Sequence, residues 1–171
     1  MLVGEKAGGF NLEEVLGSGG FGAVYLTKGP QGNPLAVKVL YPPRSWDTDE
    51  HQAWTRRADQ FIKEIQIASK FDHRNIMRIY SSGILFWHPK DPLNGSQGPS
   101  YSTDYHLPYY VTDYLPDGVD ERLRKGLIGV EVAVMIAGQV CDGLQVMHGA
   151  NPQVLHLDLS PSNIRLARGG R

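Results

Sequence analysis

Cysteine is all but missing from this 171-residue chain: Cys141 stands alone, so no disulfide can close within it. That excludes a disulfide-stapled secreted scaffold and points to a reducing compartment, the cytoplasm. An excess of one charge is missing as well, because 17 Lys and Arg meet 18 Asp and Glu for a net of -1. A general nucleic-acid or anionic-membrane surface is therefore not expected. Long hydrophobic runs are lacking: the longest, Val132 to Gly138, follows Glu131 and falls far short of the ~20 residues a bilayer crossing needs. The opening MLVGEKAGG has no basic-then-apolar signal architecture. No targeting or membrane segment, internal repeat or low-complexity tract is visible. What is present is a globular composition, 41% hydrophobic and 20% charged. A chain of this size removes ~70% of its unfolded surface from water and needs no staple.

From Phe10 to Leu40 the pattern is extended, FNLEEVL, AVYLT and LAVKVL separated by a glycine cluster and by KGPQGNP, which predicts three consecutive antiparallel strands. Residues 41 to 56 are polar and proline-led and read as a connector. A helix follows, with Phe61, Ile65 and Ala68 on one face, Phe71 at its edge and Glu64 inside that arc. The turn FDHRN leads to a short strand, IMRIYSSGIL. Residues 87 to 108 hold four Pro and two Gly without periodicity and predict an exposed insertion. YYVTDYL, from Tyr109 to Leu115, reads as a strand ending in a PDG turn. Val130, Ala133, Val134, Ala137, Val140, Cys141, Leu144 and Met147 recur at spacings of three and four, which predicts a buried amphipathic helix. The tail QVLHLDLSPSNIRLARGGR reads as strand, loop, strand.

Gly17, Gly19 and Gly22 in LGSGGFGAVY give G-x-G-x-x-G, a pattern that dinucleotide folds share. A dinucleotide fingerprint requires a helix at the third glycine and an acid after the next strand, whereas here AVYLT follows and LAVKVL ends without an acid. The G-x-x-x-x-G-K phosphate loop fails at Ala23, where lysine is needed. A hairpin remains, whose tip backbone can approach phosphates because glycine carries no side chain to block it. Lys38 sits among Ala36, Val37, Val39 and Leu40, and Glu64 among apolar helix positions. Either could be a solvated surface charge; two charges aimed at a core would need each other. No Cys or His cluster has zinc spacing, His148 and His156 included.

These residues resemble the protein kinase family. GSGGFGAV is similar to its glycine-rich loop, LAVK to the strand carrying the phosphate-contacting lysine, and Glu64 falls where that lysine's helix partner is expected. His156, Asp158, Leu159 and Asn163 match H-R-D-L-x-x-x-N. The resemblance implies an α+β, two-lobe kinase-like fold: an antiparallel N-lobe sheet with one helix over 10–114, a hinge at 115–118, and an incomplete helical C-lobe over 119–171. It implies ATP and Mg2+ as cofactors and a protein Ser/Thr hydroxyl as acceptor. Asp158 would be the base and Asn163 the metal ligand, with Lys38 and Glu64 paired to position the phosphates. His156 would shape the loop by packing and hydrogen bonding. The implied nucleotide-binding set is Leu16, Gly17, Ser18, Gly19, Gly20, Phe21, Gly22, Val24, Ala36, Lys38, Thr112, Asp113 and Leu115. Thr112 would limit pocket depth before the hinge.

Three departures bear on activity. Leu157 replaces the family's arginine, which in many members receives an activation-loop phosphate, and Ser160 replaces the usual lysine, although some bacterial members look similar with S-P-S-N. The resemblance runs from Phe10 to Arg171, and D-F-G, the activation segment and A-P-E do not occur in it. The expectation is the N-terminal part of a kinase domain, of low activity alone, ending in a strand with an unpaired edge. Two other readings stay open: a nucleotide-binding or docking module without catalysis, and a small-molecule phosphotransferase.

Overall fold

In the computed structural model of the protein the described residues are 1–19, 22–42, 48–87 and 105–167. The chain folds as two compact units, one of Met1–Gln66 with Ile79–Thr112, the other of Ile67–Arg78 with Asp113–Arg171. Residues 67–78, which the sequence reading placed with the first part, thus pack with the second.

The first unit opens with a hairpin, β1 (Lys6–Ala7) and β2 (Phe10–Asn11). Its two-residue turn, Gly8–Gly9, has φ of +55° and +92°, values that glycine adopts without strain. The three expected strands follow as β3 (Glu14–Gly19), β4 (Gly22–Lys28) and β5 (Pro34–Leu40), antiparallel in sequence. After helix α1 (Thr48–Ala68), strands β6 (Ile79–Trp87) and β7 (Tyr105–Asp113) pair antiparallel, Ile79 opposite Thr112 and Trp87 opposite Tyr105. The sheet order is β3-β4-β5-β7-β6.

Both sheet faces are covered. Ala23, Tyr25 and Thr27 alternate as the buried positions of β4, the two-residue period of a strand. With Val37, Val39, Leu107 and Val111 they meet Leu2, Ala7 and Leu12, all fully buried except Ala23, so the first twelve residues seal one face. The Leu2 amide donates to the Tyr25 hydroxyl at 3.1 Å, and that hydroxyl is hydrogen-bonded to Tyr41. On the other face Leu40, Phe61 and Ile65 pack with Trp54, Ala58, Ile79 and Tyr110, which seats α1. Burying one such Leu, Val or Phe side chain contributes about 1.5–3 kcal/mol.

Several boundaries differ from the sequence reading: FNLEEVL divides between β2 and β3, and IMRIYSSGIL becomes a strand only from Ile79 to Trp87. Helix α1 begins at Thr48, inside the supposed connector. Strand β7 takes 105–108 from the supposed insertion, with Leu107 and Pro108 buried, while 88–104 lie outside the described residues. Pro108 hid the strand, since proline ordinarily argues against an interior one.

The second unit holds α2 (Val119–Arg124), α3 (Val130–His148), a 3-10 turn (Pro161–Asn163) and a short pair, β8 (Asp117–Gly118) with β9 (Arg165–Leu166). Helix α2 escaped the sequence reading because charge, not apolar periodicity, builds it. Asp120 and Glu121 open it, Arg124 and Lys125 return to them at 3.2 and 2.7 Å, and Arg122 reaches Asp117 at 3.1 Å. The tail also differs: residues 153–160 form no strand, and β9 pairs with Asp117–Gly118, residues read as hinge. Arg168 to Arg171, the supposed turn, lie outside the described residues.

Helix α3 has the expected length but not the expected burial. Only Ile136 and Gly143 are buried, while Val130 is 81%, Val134 67% and Met135 56% exposed. Gly143 lets the 67–78 segment approach, since a Cβ there would stand 3.0 Å from the Asn75 carbonyl oxygen. At 19 residues α3 is long and apolar enough to cross a membrane by length and composition, although its uninterrupted apolar run is only Val132 to Gly138. Ala133, Ile136, Val140 and Leu144 form one stripe of the helix, which lines an apolar groove.

Candidate nucleotide pocket and catalytic loop

The first unit carries a pocket of about 550 Å3, within the range of small-ligand sites. The glycine turn forms one wall with Gly17, Ser18, Gly19 and Gly22, continued by Ala23 and Val24, and β5 adds Lys38 and Leu40. Arg57, Gln60, Phe61 and Glu64 of α1 form the other, at the i, i+3, i+4, i+7 spacing of one helix face.

The glycines divide into two kinds. At Gly22, φ is +152°, and a Cβ would run into the Val39 carbonyl oxygen. This glycine lets β4 leave the turn and lie against β5. At Gly17 and Gly19 a Cβ would meet nothing within 4 Å, so the room a side chain would fill stays open beside the pocket. Backbone without side chains, a cation from β5 and this volume fit a phosphate-bearing ligand such as a nucleotide.

Lys38 stands between the fully buried Val37 and Val39 yet is itself exposed, because its side chain leaves the sheet on the pocket side. Its Nζ lies 5.9 Å from the centre of the Phe61 ring, at the edge of cation–π range. Glu64 accepts a hydrogen bond from Gln60 Nε2 at 3.1 Å. Among the described residues no ion pair joins Lys38 to Glu64, which corrects the expectation of one. The physical reason is exposure: both groups reach water, so neither needs the other as buried charges would. The charge of Glu64 is still felt locally, since the Tyr110 hydroxyl is pushed above its ordinary pKa first by burial and then by this carboxylate.

The remaining nucleotide candidates fall elsewhere. Leu16, Ala36 and Thr112 belong to the first unit but not to the lining of this pocket. Thr112 is buried opposite Ile79. Asp113 and Leu115 are half-buried in the second unit, and Gly20 and Phe21 lie outside the described residues. Arg57 and Gln60 escaped the sequence reading, although both lie in the helix it expected and Arg57 stands three, four and seven positions before Gln60, Phe61 and Glu64.

In the second unit Asp158 and Asn163 meet. Asn163 Nδ2 donates to the Asp158 carboxylate oxygen Oδ2 and to its backbone carbonyl, both at 2.9 Å. Leu157, with φ +57° and 90% exposure, turns the backbone so that the Asp158 amide donates to the His156 carbonyl at 2.7 Å. Pro161 opens the turn that presents Asn163. The His156 ring is exposed, contrary to the packing expected of it. With its nitrogen held by Asp158, the Asn163 side chain has its oxygen as the remaining ligand atom. An amide oxygen suits magnesium, which takes few protein oxygens and completes its shell with water and phosphate. Among the described residues no cluster of three or more His, Cys, Asp or Glu could hold a metal by itself.

A glycine turn over a lysine-bearing strand, beside a helix presenting a glutamate, together with a separate Asp–Asn loop, defines a class: a phosphate-handling α+β fold in two units. The sequence profile of the protein kinase domain matches residues 10–170. The chain belongs to the protein kinase family. Over 98% of its length it is 30% identical to serine/threonine-protein kinase Pkn1 of Myxococcus xanthus, and over the same share 26% identical to serine/threonine-protein kinase PknJ of Mycobacterium tuberculosis. It spans 20% and 24% of those proteins' lengths. Its fold is similar to the crystal structure of the Mycobacterium tuberculosis PknI kinase domain, with a TM-score of 0.66 and 22% identity, covering 99% of this chain and 59% of that one.

Proposed function

We propose that the chain is the nucleotide-binding and base-bearing portion of a protein serine/threonine kinase, whose reaction moves the γ-phosphoryl group of ATP to a protein hydroxyl. The observation that carries this reading is the coexistence of the Lys38 glycine-turn pocket with an Asp158 carboxylate clamped by Asn163. In the proposed roles Gly17, Ser18, Gly19 and Gly22 offer backbone to the phosphates, and Lys38 neutralises their charge. Asp158 orients the acceptor hydroxyl and takes its proton, while Asn163 keeps that carboxylate aimed and offers its amide oxygen to the metal. Magnesium, when bound, supplies charge neutralisation on the phosphates. Leu16, Gly20, Phe21, Val24, Ala36, Thr112, Asp113 and Leu115 complete the proposed nucleotide contacts by family resemblance, and a cytoplasmic location is proposed on the same footing as the single thiol.

A second reading, a nucleotide-binding module without transfer, draws support from the lack of an ion pair between Lys38 and Glu64 among the described residues. Phosphate transfer from radiolabelled ATP to a generic protein acceptor, run beside an ATP-binding titration, tests both. Transfer lost in Asp158→Asn with ATP affinity kept supports the kinase reading. Binding without any transfer supports the module, and neither activity overturns both. Profiling peptides against sugars and aminoglycosides separates a small-molecule phosphotransferase.

A further inference from the structure

The pocket that holds Lys38 holds a second cation. Arg57 lines it from α1, one turn before Phe61 and two turns before Glu64, on the helix face that the glycine turn overlooks. Among the described residues the ionisable side chains of the lining are Lys38 and Arg57 together with the carboxylate of Glu64. That carboxylate is engaged by Gln60, and no ion pair commits it to Lys38. Lys38 enters from the sheet and Arg57 from the helix, so two cations approach one opening from two walls, beside glycines whose missing side chains leave room for a chain of phosphates. A guanidinium differs from an ammonium in presenting a planar fork of donors that can grip two oxygens of one phosphate.

We propose that Arg57 is a second phosphate-binding residue of this pocket, recognising the terminal phosphate of a nucleoside triphosphate and setting preference for the triphosphate over the diphosphate. The inference rests on the nucleotide reading above and adds to it a residue and a selectivity. Arg57 is exposed on the helix, so its replacement removes charge without opening a core.

The test titrates the 171-residue chain with ATP, ADP and adenosine in a metal-free, EDTA-containing buffer, read by calorimetry and by intrinsic tryptophan fluorescence, to which Trp54 of the same helix contributes. Arg57→Gln is expected to weaken ATP by about tenfold, the size of one charge-assisted phosphate contact, with a smaller loss for ADP and none for adenosine. Arg57→Lys should recover only part of the ATP affinity, because it restores charge but not the fork. Arg56→Gln, which removes an equal charge from the same helix outside the lining, should leave all three ligands unchanged. Equal affinities of Arg57→Gln and the unaltered chain for ATP would overturn the inference. So would a parallel loss for adenosine, which would make Arg57 structural, or an equal loss in Arg56→Gln, which would make the effect one of net charge. If the unaltered chain binds neither ATP nor adenosine, the nucleotide reading falls and this inference with it; if it binds adenosine but not ATP, this inference falls alone.

Discussion

Adding one methyl group to each pocket glycine in turn separates what holds the fold from what serves the ligand. In Gly22→Ala the new Cβ collides with the Val39 carbonyl oxygen, and the backbone must hold a φ of +152°, which side chains rarely adopt. The strained backbone costs on the order of 1–3 kcal/mol. Relief of the clash requires β4 to part from β5 at Gly22–Leu40, where the register begins. Alanine also stiffens the unfolded chain, an offset of about 0.4–1 kcal/mol. With the clash adding to the strain, a net loss of roughly 1–3 kcal/mol remains, or about 2–12 °C in Tm at ~2–4 °C per kcal/mol for a chain of this size. Gly17→Ala and Gly19→Ala meet open space, so stability should stay within about 0.5 kcal/mol or rise slightly. Their methyl groups occupy room beside the pocket, and ATP affinity should fall about tenfold, equivalent to ~1.4 kcal/mol. The assay is a thermal melt with and without ATP for all three variants. Gly22→Ala melting like the unaltered chain, or Gly17→Ala and Gly19→Ala keeping full ATP-induced stabilisation, would refute the division.

Glu64→Gln should change ATP affinity by less than about twofold in a titration, since no ion pair ties Glu64 to Lys38, whereas Lys38→Met should weaken ATP by about tenfold or more. Alkali should destabilise the first unit through Tyr41, whose hydroxyl is pushed above its ordinary 10.0 by burial and by its hydrogen bond to Tyr25. The folded state keeps a proton that the unfolded state releases, so this contribution is full below pH 10 and is lost as pH rises beyond it. Urea midpoints at about pH 9 and about pH 11 should therefore differ less in Tyr41→Phe. Replacing exposed Val134 and Met135 on α3 with Lys should lower self-association in sedimentation experiments, because both side chains now present apolar surface to water.

The glycine turn, the lysine strand and the long helix were legible because each has a local signature: glycines where side chains would obstruct, alternation in β4, and three-and-four spacing in α3. The N-terminal seal was not, since Leu2, Ala7 and Leu12 acquire meaning only when the sheet face they cover exists. Strand β7 was half-hidden by Pro108, and α2 by a helix code written in charges. Burial was overestimated in two places for one reason. Apolar neighbours in sequence do not show which side chains turn toward water, so neither the Lys38–Glu64 pairing nor the burial of α3 follows from the pattern alone. The Asp158–Asn163 clamp, by contrast, joins two residues already suspected at a spacing of five.

The central claim is that Lys38 faces the phosphates of a nucleotide held under the glycine turn. An acyl-phosphate derivative of ATP measures this directly, because only an amine beside the phosphate chain attacks the acyl carbon, keeping the acyl group and releasing ATP. Mass spectrometry of the labelled chain should place the adduct on Lys38, with labelling suppressed by excess ATP. Adducts scattered over surface lysines such as Lys28 and Lys125, unchanged by ATP, would contradict the account.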